Sequence, residues 1–442
     1  MPLPDPWPVH ISDARPTVHV TVPGSKSVSC RALVLAAFAK GTSHLCGLLR
    51  GDDTDALSAA LATLKQPIQL GDAEAIVEGG GRLQGGGATL DLGHGGTPAR
   101  FMLAVASVAD GDTIIDGSDR LRERPMGDMV ELLRMLGITV EELGQNGRLP
   151  LRVRGGEWTS RVLEVGETAS SQFLSALLLV AASTPTGLEL RLRRPPTSAA
   201  YLALTIAELR RWGVEVRTSY GDGWAATIEV VPVAMVAQRR AIPADASSAL
   251  FWASAAAILP GSTVHLPGLS LDDGQPDAAA IPVLAEMGLQ VETNSGGLIL
   301  RGPESLRGVG QIDCHTMPDA APAIAVACCY ADDTTRMTGL HTLRVKESDR
   351  IATIASELAA AGADIKVVGD DLIIHPAPLP STAVTIKTWD DHRIAMAGAV
   401  LGLRRGGLSI TEPACTAKSY PAFWTDLERF AVDGRIRDTA KQ

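Results

Sequence analysis

Six short segments of this chain set hydroxyl, glycine, acidic or basic residues just before, or at the start of, an apolar helical stretch. They read Gly24-Ser25-Lys26-Ser27-Val28-Ser29-Cys30-Arg31, Gly95-Gly96-Thr97-Pro98-Ala99-Arg100, Ser170-Ser171-Gln172, Asp245-Ala246-Ser247-Ser248, Pro318-Asp319-Ala320 and Asp390-Asp391-His392-Arg393. A helix start presents unpaired N–H groups and the positive end of the macrodipole, so serines, glycines and basic residues placed there cradle an anion. Any one of them alone reads as an ordinary N-cap. Repetition with added Lys and Arg points to anion binding, with the anions between the starts if these converge. Two basic loops extend the pattern: Arg120-Leu121-Arg122-Glu123-Arg124-Pro125 and Arg344-Val345-Lys346-Glu347-Ser348-Asp349-Arg350. Taken singly, such a charge run is a solvated face. Arginine suits planar carboxylates and bidentate phosphates, while lysine supplies a compact charge and a proton donor, so two small anions are implied.

The elements that must position these residues repeat. A short β-like stretch opens at Gly41, Gly111, Gly187, Gly261, Asp333 and Gly407, in steps of 70 to 76 residues. A second marker, an apolar-Gly-apolar step after a helical stretch, falls at Leu136-Gly137-Ile138, Trp212-Gly213-Val214, Met287-Gly288-Leu289 and Ala361-Gly362-Ala363, in steps of 74 to 76. Two independent markers with one period predict six α/β units of about 74 residues, longer than solenoid repeats. Each unit opens on an alanine-rich helix that is apolar nearly all round, the pattern of a buried helix: Ser29–Ala39, Pro98–Ala109, Ser171–Ala182, Ser247–Leu259, Ala320–Ala331 and Arg393–Leu403. A strand follows, then an amphipathic helix such as Met126–Leu136, Tyr201–Trp212, Asp277–Met287 or Asp349–Ala361. The glycine after each should end it in a left-handed turn. The fold class is α/β, built of βα repeats, three per domain.

At 442 residues the chain exceeds one ordinary core, and 45% hydrophobic content fills two or three domains. A net charge of −10 and 4% aromatic residues exclude the backbone electrostatics and stacking platforms of nucleic-acid binding. The cysteines Cys30, Cys46, Cys314, Cys328, Cys329 and Cys415 form no C-x-x-C pair and have no His partners at zinc spacing, so reduced, mostly buried thiols and no metal are expected. The opening Met1-Pro-Leu-Pro-Asp-Pro-Trp-Pro lacks a signal-peptide pattern, and no apolar run reaches the ~18 residues of a membrane span. A cytoplasmic protein without membrane attachment, or one whose targeting peptide has been removed, is expected.

Pro-Gly-Ser-Lys-Ser-Val-Ser-Cys-Arg-Ala-Leu (Pro23 to Leu33), Arg-Leu-Arg-Glu-Arg-Pro (Arg120 to Pro125), Ser-Ser-Gln-Phe-Leu (Ser170 to Leu174), Arg-Val-Lys-Glu-Ser-Asp-Arg (Arg344 to Arg350), Asp-His-Arg-Ile-Ala-Met (Asp391 to Met396) and Cys-Thr-Ala-Lys-Ser-Tyr-Pro (Cys415 to Pro421) follow one another along the chain. In this order and spacing the sequence resembles the 5-enolpyruvylshikimate-3-phosphate synthase family, from about Val20 to Phe430. The resemblance implies an inside-out α/β barrel of six βαβαββ repeats, three in each of two domains, with the active site in the cleft between them. It also implies that the chain crosses twice, so that residues 23–241 are inserted into a domain made of 1–22 plus 242–442.

The implied reaction transfers the enolpyruvyl group of phosphoenolpyruvate to the 5-hydroxyl of shikimate 3-phosphate and releases phosphate, with no cofactor, in a monomer. Carried over by position, Ser170, Ser171, Gln172, Ser198 and Tyr201 surround the shikimate phosphate, while Ser27, Arg31, Asp319, Thr342 and Lys346 hold the ring side. Arg124, Arg350, Arg393 and Lys418 hold phosphoenolpyruvate, with Lys26 and Gln172 touching both ligands and the Gly96-Thr97 backbone close by. The hydroxyl must lose a proton and the enol carbon gain one before a tetrahedral adduct collapses. Asp319 is expected to take the first proton, and Glu347 or Lys26 to deliver the second; His392 is a weaker candidate.

Three places depart from the family pattern: His94-Gly95-Gly96-Thr97-Pro98 stands for Asn-Ala-Gly-Thr-Ala, Thr342 for Asn, and Ala199 for Lys. Two alternatives remain open. The enolpyruvyl transferase acting on UDP-N-acetylglucosamine shares the fold but carries a reactive Cys in the loop occupied here by Ser118-Asp119-Arg120-Leu121-Arg122. A non-catalytic anion-binding relative is disfavoured because Lys26, Asp319, Glu347 and Lys418 are all present.

Overall fold

The computed structural model describes residues 3–12, 15–221 and 224–432; the ends of the expected first domain, 1–2 and 433–442, lie outside the described residues. The chain divides into two compact units, Gly24–Ile242 and a discontinuous unit of Met1–Pro23 with Pro243–Gln442. Each has its own apolar core.

Helices Lys26–Phe38, Gly96–Ala106 and Ser171–Ala181 pack on one another in the first unit. Ala246–Ile258, Ala321–Cys328 and His392–Arg405 do so in the second. Their composition leaves no face that prefers water. In Ala246–Ile258 every residue except Ser247 is buried. Each fully enclosed side chain such as Leu250, Phe251 or Ile258 contributes about 1.5–3 kcal/mol.

The accompanying sheets share one order. In Ala88–Asp91, Asp112–Asp116, Leu151–Arg154 and Thr139–Glu142, the first two strands run parallel across a buried helix and the last two return as an antiparallel pair. The sheets led by Val162–Val165, Gly310–Asp313, Arg239–Ala241 and Thr17–His19 repeat it. Arg239–Ala241 closes its unit by pairing with Gly41–Cys46, and the N-terminal Thr17–His19 pairs with Thr263–Pro267. The sixth sheet differs. Among the described residues it has three strands, Val384–Ile386 and Leu408–Ile410 joined antiparallel by Trp7–Pro8 in place of a hairpin.

Several boundaries move in ways that matter for chemistry. Ser25 caps the first helix by accepting from Val28 N at 3.5 Å, so that helix begins at Lys26 rather than Ser29. Gly96, not Pro98, opens the second, because Pro98 lacks an N–H only where no intrahelical partner exists anyway. The expected helix Asp277–Met287 splits into a 3-10 turn, Pro276–Ala279, and a helix, Ala280–Glu286. Pro282 removes the N–H that would have bonded back to Ala278 and continued an α-turn. The marker glycines Gly137, Gly213, Gly288 and Gly362 take φ of 86°, 77°, 121° and 99°. No helix among the described residues is long and apolar enough to cross a membrane.

Candidate functional site

In Gly24–Ile242 the polar groups gather at the helix starts. Gly24 is required there, since a Cβ would lie 1.7 Å from the Gly47 carbonyl oxygen. Lys26 reaches Asp53, its Nζ 3.1 Å from Oδ2. Arg31 is committed to the protein. Its Nε donates to Thr205 Oγ1 at 2.8 Å, Nη1 to the Ser27 carbonyl at 2.8 Å and Nη2 to the Tyr201 carbonyl at 3.2 Å. Burial drives its pKa down to about 10, against the pull of Cys30, Glu208 and Tyr201. It thereby ties the first helix to Ala199–Arg211, which carries Tyr201 and follows Ser198, a residue held at φ 52°. Ser170 caps Ser171–Ala181 by accepting from Gln172 N at 3.3 Å. The Gln172 side-chain oxygen accepts from Arg100 Nη1 at 2.6 Å, and the Arg100 guanidinium lies 5.0 Å from the centre of the Phe173 ring. That bond turns the Gln172 amide so that its NH2 donors are the ones left to meet a ligand.

Arg124 is the other notable cation of this unit. It is 7% exposed, and it forms no ion pair or side-chain hydrogen bond among the described residues. Its guanidinium lies against Gly96, where a Cβ would sit 2.3 Å from Nη1. A buried guanidinium without a counter-charge, beside the Gly96-Thr97 helix start, is built to take an anion.

In the other unit the cations are already shared out. The Asp319 carboxylate lies 3.2 Å from Lys346 Nζ, 2.8 Å from Arg350 Nη1 and 3.1 Å from Arg393 Nη2. Burial works to raise its pKa, but Arg393, Lys346 and Arg350 hold it well below the usual carboxylate range. Glu347 is bridged at 2.8 Å by Arg350 Nη2 and at 3.0 Å by Lys418 Nζ. Burial lowers the Lys346 pKa, with Asp319 opposing. Burial also opposes charge on Arg350, yet Asp391, Glu347 and Asp319 push its pKa up. Thr342, 9% exposed, has no hydrogen-bond partner for its hydroxyl among the described residues. His392 is fully enclosed, with Nδ1 3.8 Å from Asp391.

Residue types alone did not single out three partners that set this geometry. Asp53 holds Lys26. Arg100 orients Gln172. Asp391 accepts from Arg350 Nε at 2.8 Å, from Ser348 Oγ at 3.0 Å and from Arg393 N at 3.0 Å, and so anchors Arg350. Asp391 stood in a quoted motif, but nothing in its sequence surroundings names Arg350 as its partner.

The sequence matches the profile of the family described as EPSP synthase (3-phosphoshikimate 1-carboxyvinyltransferase) over residues 13–427. A 3-phosphoshikimate 1-carboxyvinyltransferase of Rhizobium etli is 36% identical over 94% of this chain and 95% of its own length. One from Thiobacillus denitrificans is 35% identical, covering 93% and 96%. Among solved structures, EPSP synthase from Acinetobacter baumannii superposes with a TM-score of 0.79 at 28% identity, over 96% of this chain and 97% of that one. The enolpyruvyl transferase NikO of Streptomyces tendae, at 16% identity and a TM-score of 0.74 over 96% of each chain, shares the fold. With a sequence match spanning nearly its whole length and relatives above one-third identity, this chain belongs to the EPSP synthase family.

Proposed function

We propose that this chain acts as a 3-phosphoshikimate 1-carboxyvinyltransferase, joining the enolpyruvyl group of phosphoenolpyruvate to the 5-hydroxyl of shikimate 3-phosphate. The observation that carries the reading is the set of partly buried Asp319, Glu347 and Lys346 with buried Arg350, Arg393 and Lys418, in which two carboxylates are each held by more than one cation. Anionic ligands can take over those cations, and the carboxylates they release become bases where charge develops.

In this reading Asp319 removes the hydroxyl proton as the 5-oxygen bonds to the enol carbon. Glu347 or Lys26 protonates the methylene carbon, and Arg350, Arg393 and Lys418 stabilise the carboxylate and phosphate of the tetrahedral adduct. Loss of a methyl proton and of phosphate then regenerates the enol ether. Arg124, Lys26, Gln172 and the Gly96-Thr97 start serve the phosphoenolpyruvate anion. Ser170, Ser171, Ser198 and Tyr201 serve the sugar phosphate, while Ser27, Arg31, Thr342 and Lys346 serve the ring. The bonds that Arg31 makes within the protein support a role in positioning Ser27 and Tyr201 as much as in contact. The reading takes the enzyme as a cytoplasmic monomer without a nucleic-acid partner, which the net charge of −10 supports.

Purified protein given both substrates is expected to release phosphate, and Asp319→Ala or Lys26→Ala to abolish nearly all of it. Release with UDP-N-acetylglucosamine in place of shikimate 3-phosphate, or tight binding of both ligands without release, would overturn the reading.

A further inference from the structure

The tripeptide Pro-Asp-Ala occurs twice, as Pro276-Asp277-Ala278 and Pro318-Asp319-Ala320, and both copies form 3-10 turns that lie against each other in the same unit. The second carries the carboxylate assigned above to the hydroxyl proton. The first carries Asp277, which is 1% exposed. Its Oδ2 accepts from the Ser247 hydroxyl, and its Oδ1 is buried with no hydrogen-bond partner among the described residues. Ser247 belongs to one of the polar helix starts and is the one residue of its helix that is not buried. The charged and titratable groups facing Asp277 are Asp319 from the twin turn, Arg393 from His392–Arg405, Asp245 from the cap of Ala246–Ile258, and the buried thiol of Cys314, which follows strand Gly310–Asp313.

We propose that Asp277 is a positioning residue for the enolpyruvyl transfer: when ionised it offsets the cations around Asp319, leaving that carboxylate basic enough to take the hydroxyl proton, and it draws the Ser247 hydrogen inward so that the Ser247 oxygen faces outward as an acceptor. The proposal rests on the role given to Asp319 above. Asp277 itself neither gains nor loses a proton during turnover. Neighbouring carboxylates raise each other's proton affinity, so an ionised Asp277 makes Asp319 a better proton acceptor. Burial, and then the charge of Asp319, push Asp277 up to about 6, while Asp319 is held well below the usual range. Asp277 is therefore ionised at neutral pH and becomes protonated just below it, which removes its support for Asp319.

The test is phosphate release from shikimate 3-phosphate and phosphoenolpyruvate between pH 5 and 9, for wild type, Asp277→Asn and Ser247→Ala. Wild-type kcat should fall as pH drops through about 6 and level off at about one-tenth of its neutral value, where Asp277 is protonated. Asp277→Asn should lower kcat about tenfold at pH 7.5, leave KM within about twofold and lack that acid limb. Ser247→Ala should keep the limb while losing kcat/KM. An unchanged limb in Asp277→Asn, or equal losses at every pH, overturns the proposal. Infrared pH-difference spectra supply an arm that needs no turnover: a carboxylic acid band titrating near pH 6 in wild type should vanish in Asp277→Asn, and its persistence there overturns the proposal. Wild-type protein that shows this band but releases no phosphate would overturn the functional reading while leaving the ionisation of Asp277 established.

Discussion

The helix starts of Gly24–Ile242 and those of Pro243–Gln442 stand on the same repeated unit but hold charge in opposite ways. In the first, Arg124 is buried without a counter-charge among the described residues, and Lys26 is paired with Asp53. In the second, four cations are already bound to Asp319, Glu347 and Asp391. A ligand anion arriving at Arg124 displaces no carboxylate among the described residues. One arriving at Arg350 or Arg393 must share them with carboxylates, and in doing so it makes those carboxylates more basic. The contrast suits one region to holding an anion and the other to moving protons.

The largest effect that can break this contrast is on rate. Asp319→Asn should lower kcat by about 10²–10⁴ with a smaller change in KM, as for loss of a general base, and retention of wild-type kcat would end the division of labour. Next comes a matched pair of substitutions read by urea denaturation. Arg350→Met strands the fully buried Asp391 carboxylate, while Glu347 keeps Lys418, and should destabilise the protein by about 3–5 kcal/mol. Arg124→Met strands no partner among the described residues and should be neutral or stabilising, while raising KM for phosphoenolpyruvate.

Asp277 gives a pH-dependent version. Its folded pKa of about 6 lies above the ordinary unfolded value of about 3.9, so its favourable contribution is complete below about pH 4 and is lost as pH rises through 6. Asp277→Asn should therefore stabilise the fold by about 3 kcal/mol at pH 8 and have little effect at pH 3.5, read by denaturant midpoints. Asp319 has the opposite sign: its ion pairs stabilise above the unfolded pKa and fail as pH drops through the depressed value.

A smaller effect is expected of Gly96→Ala. The new methyl would sit 2.3 Å from Arg124 Nη1, and a guanidinium can move aside, so stability should change by under about 1 kcal/mol while phosphoenolpyruvate binding by calorimetry weakens about tenfold. Smallest is Arg344→Ala. Arg344 lies in the same basic loop as Lys346 and Arg350, but it is 38% exposed and pairs with Asp349 and Asp370 at the surface, so both stability and rate should change by less than about 1 kcal/mol.

Much of the frame was legible in the chain. Glycines after amphipathic helices and alanine-rich stretches without a polar face are local facts, and they located the repeat and the buried helices. The helix starts were legible because capping and anion binding use the same few residue types. The sixth sheet was less so, because its third strand, Trp7–Pro8, comes from the far end of the sequence and carries no repeat marker. Arg344 and Arg350 could not be told apart, since burial separates them and spacing does not. Asp277 had a signal, the duplicated Pro-Asp-Ala, but its burial came from the packing of one turn on another.

By itself, then, the sequence determined the α/β repeat, the helix starts as places for anions and, through the order of its motifs, the family. Those properties depend on residue type, spacing along one chain and backbone hydrogen bonding. Tertiary structure alone decided which charges meet: that Arg124 lies against Gly96, that Asp319 is shared by Lys346, Arg350 and Arg393, and that Asp277 is buried beside Ser247. Ionisation and pairing follow from distance and burial among residues far apart in the chain, and no local pattern specifies either quantity.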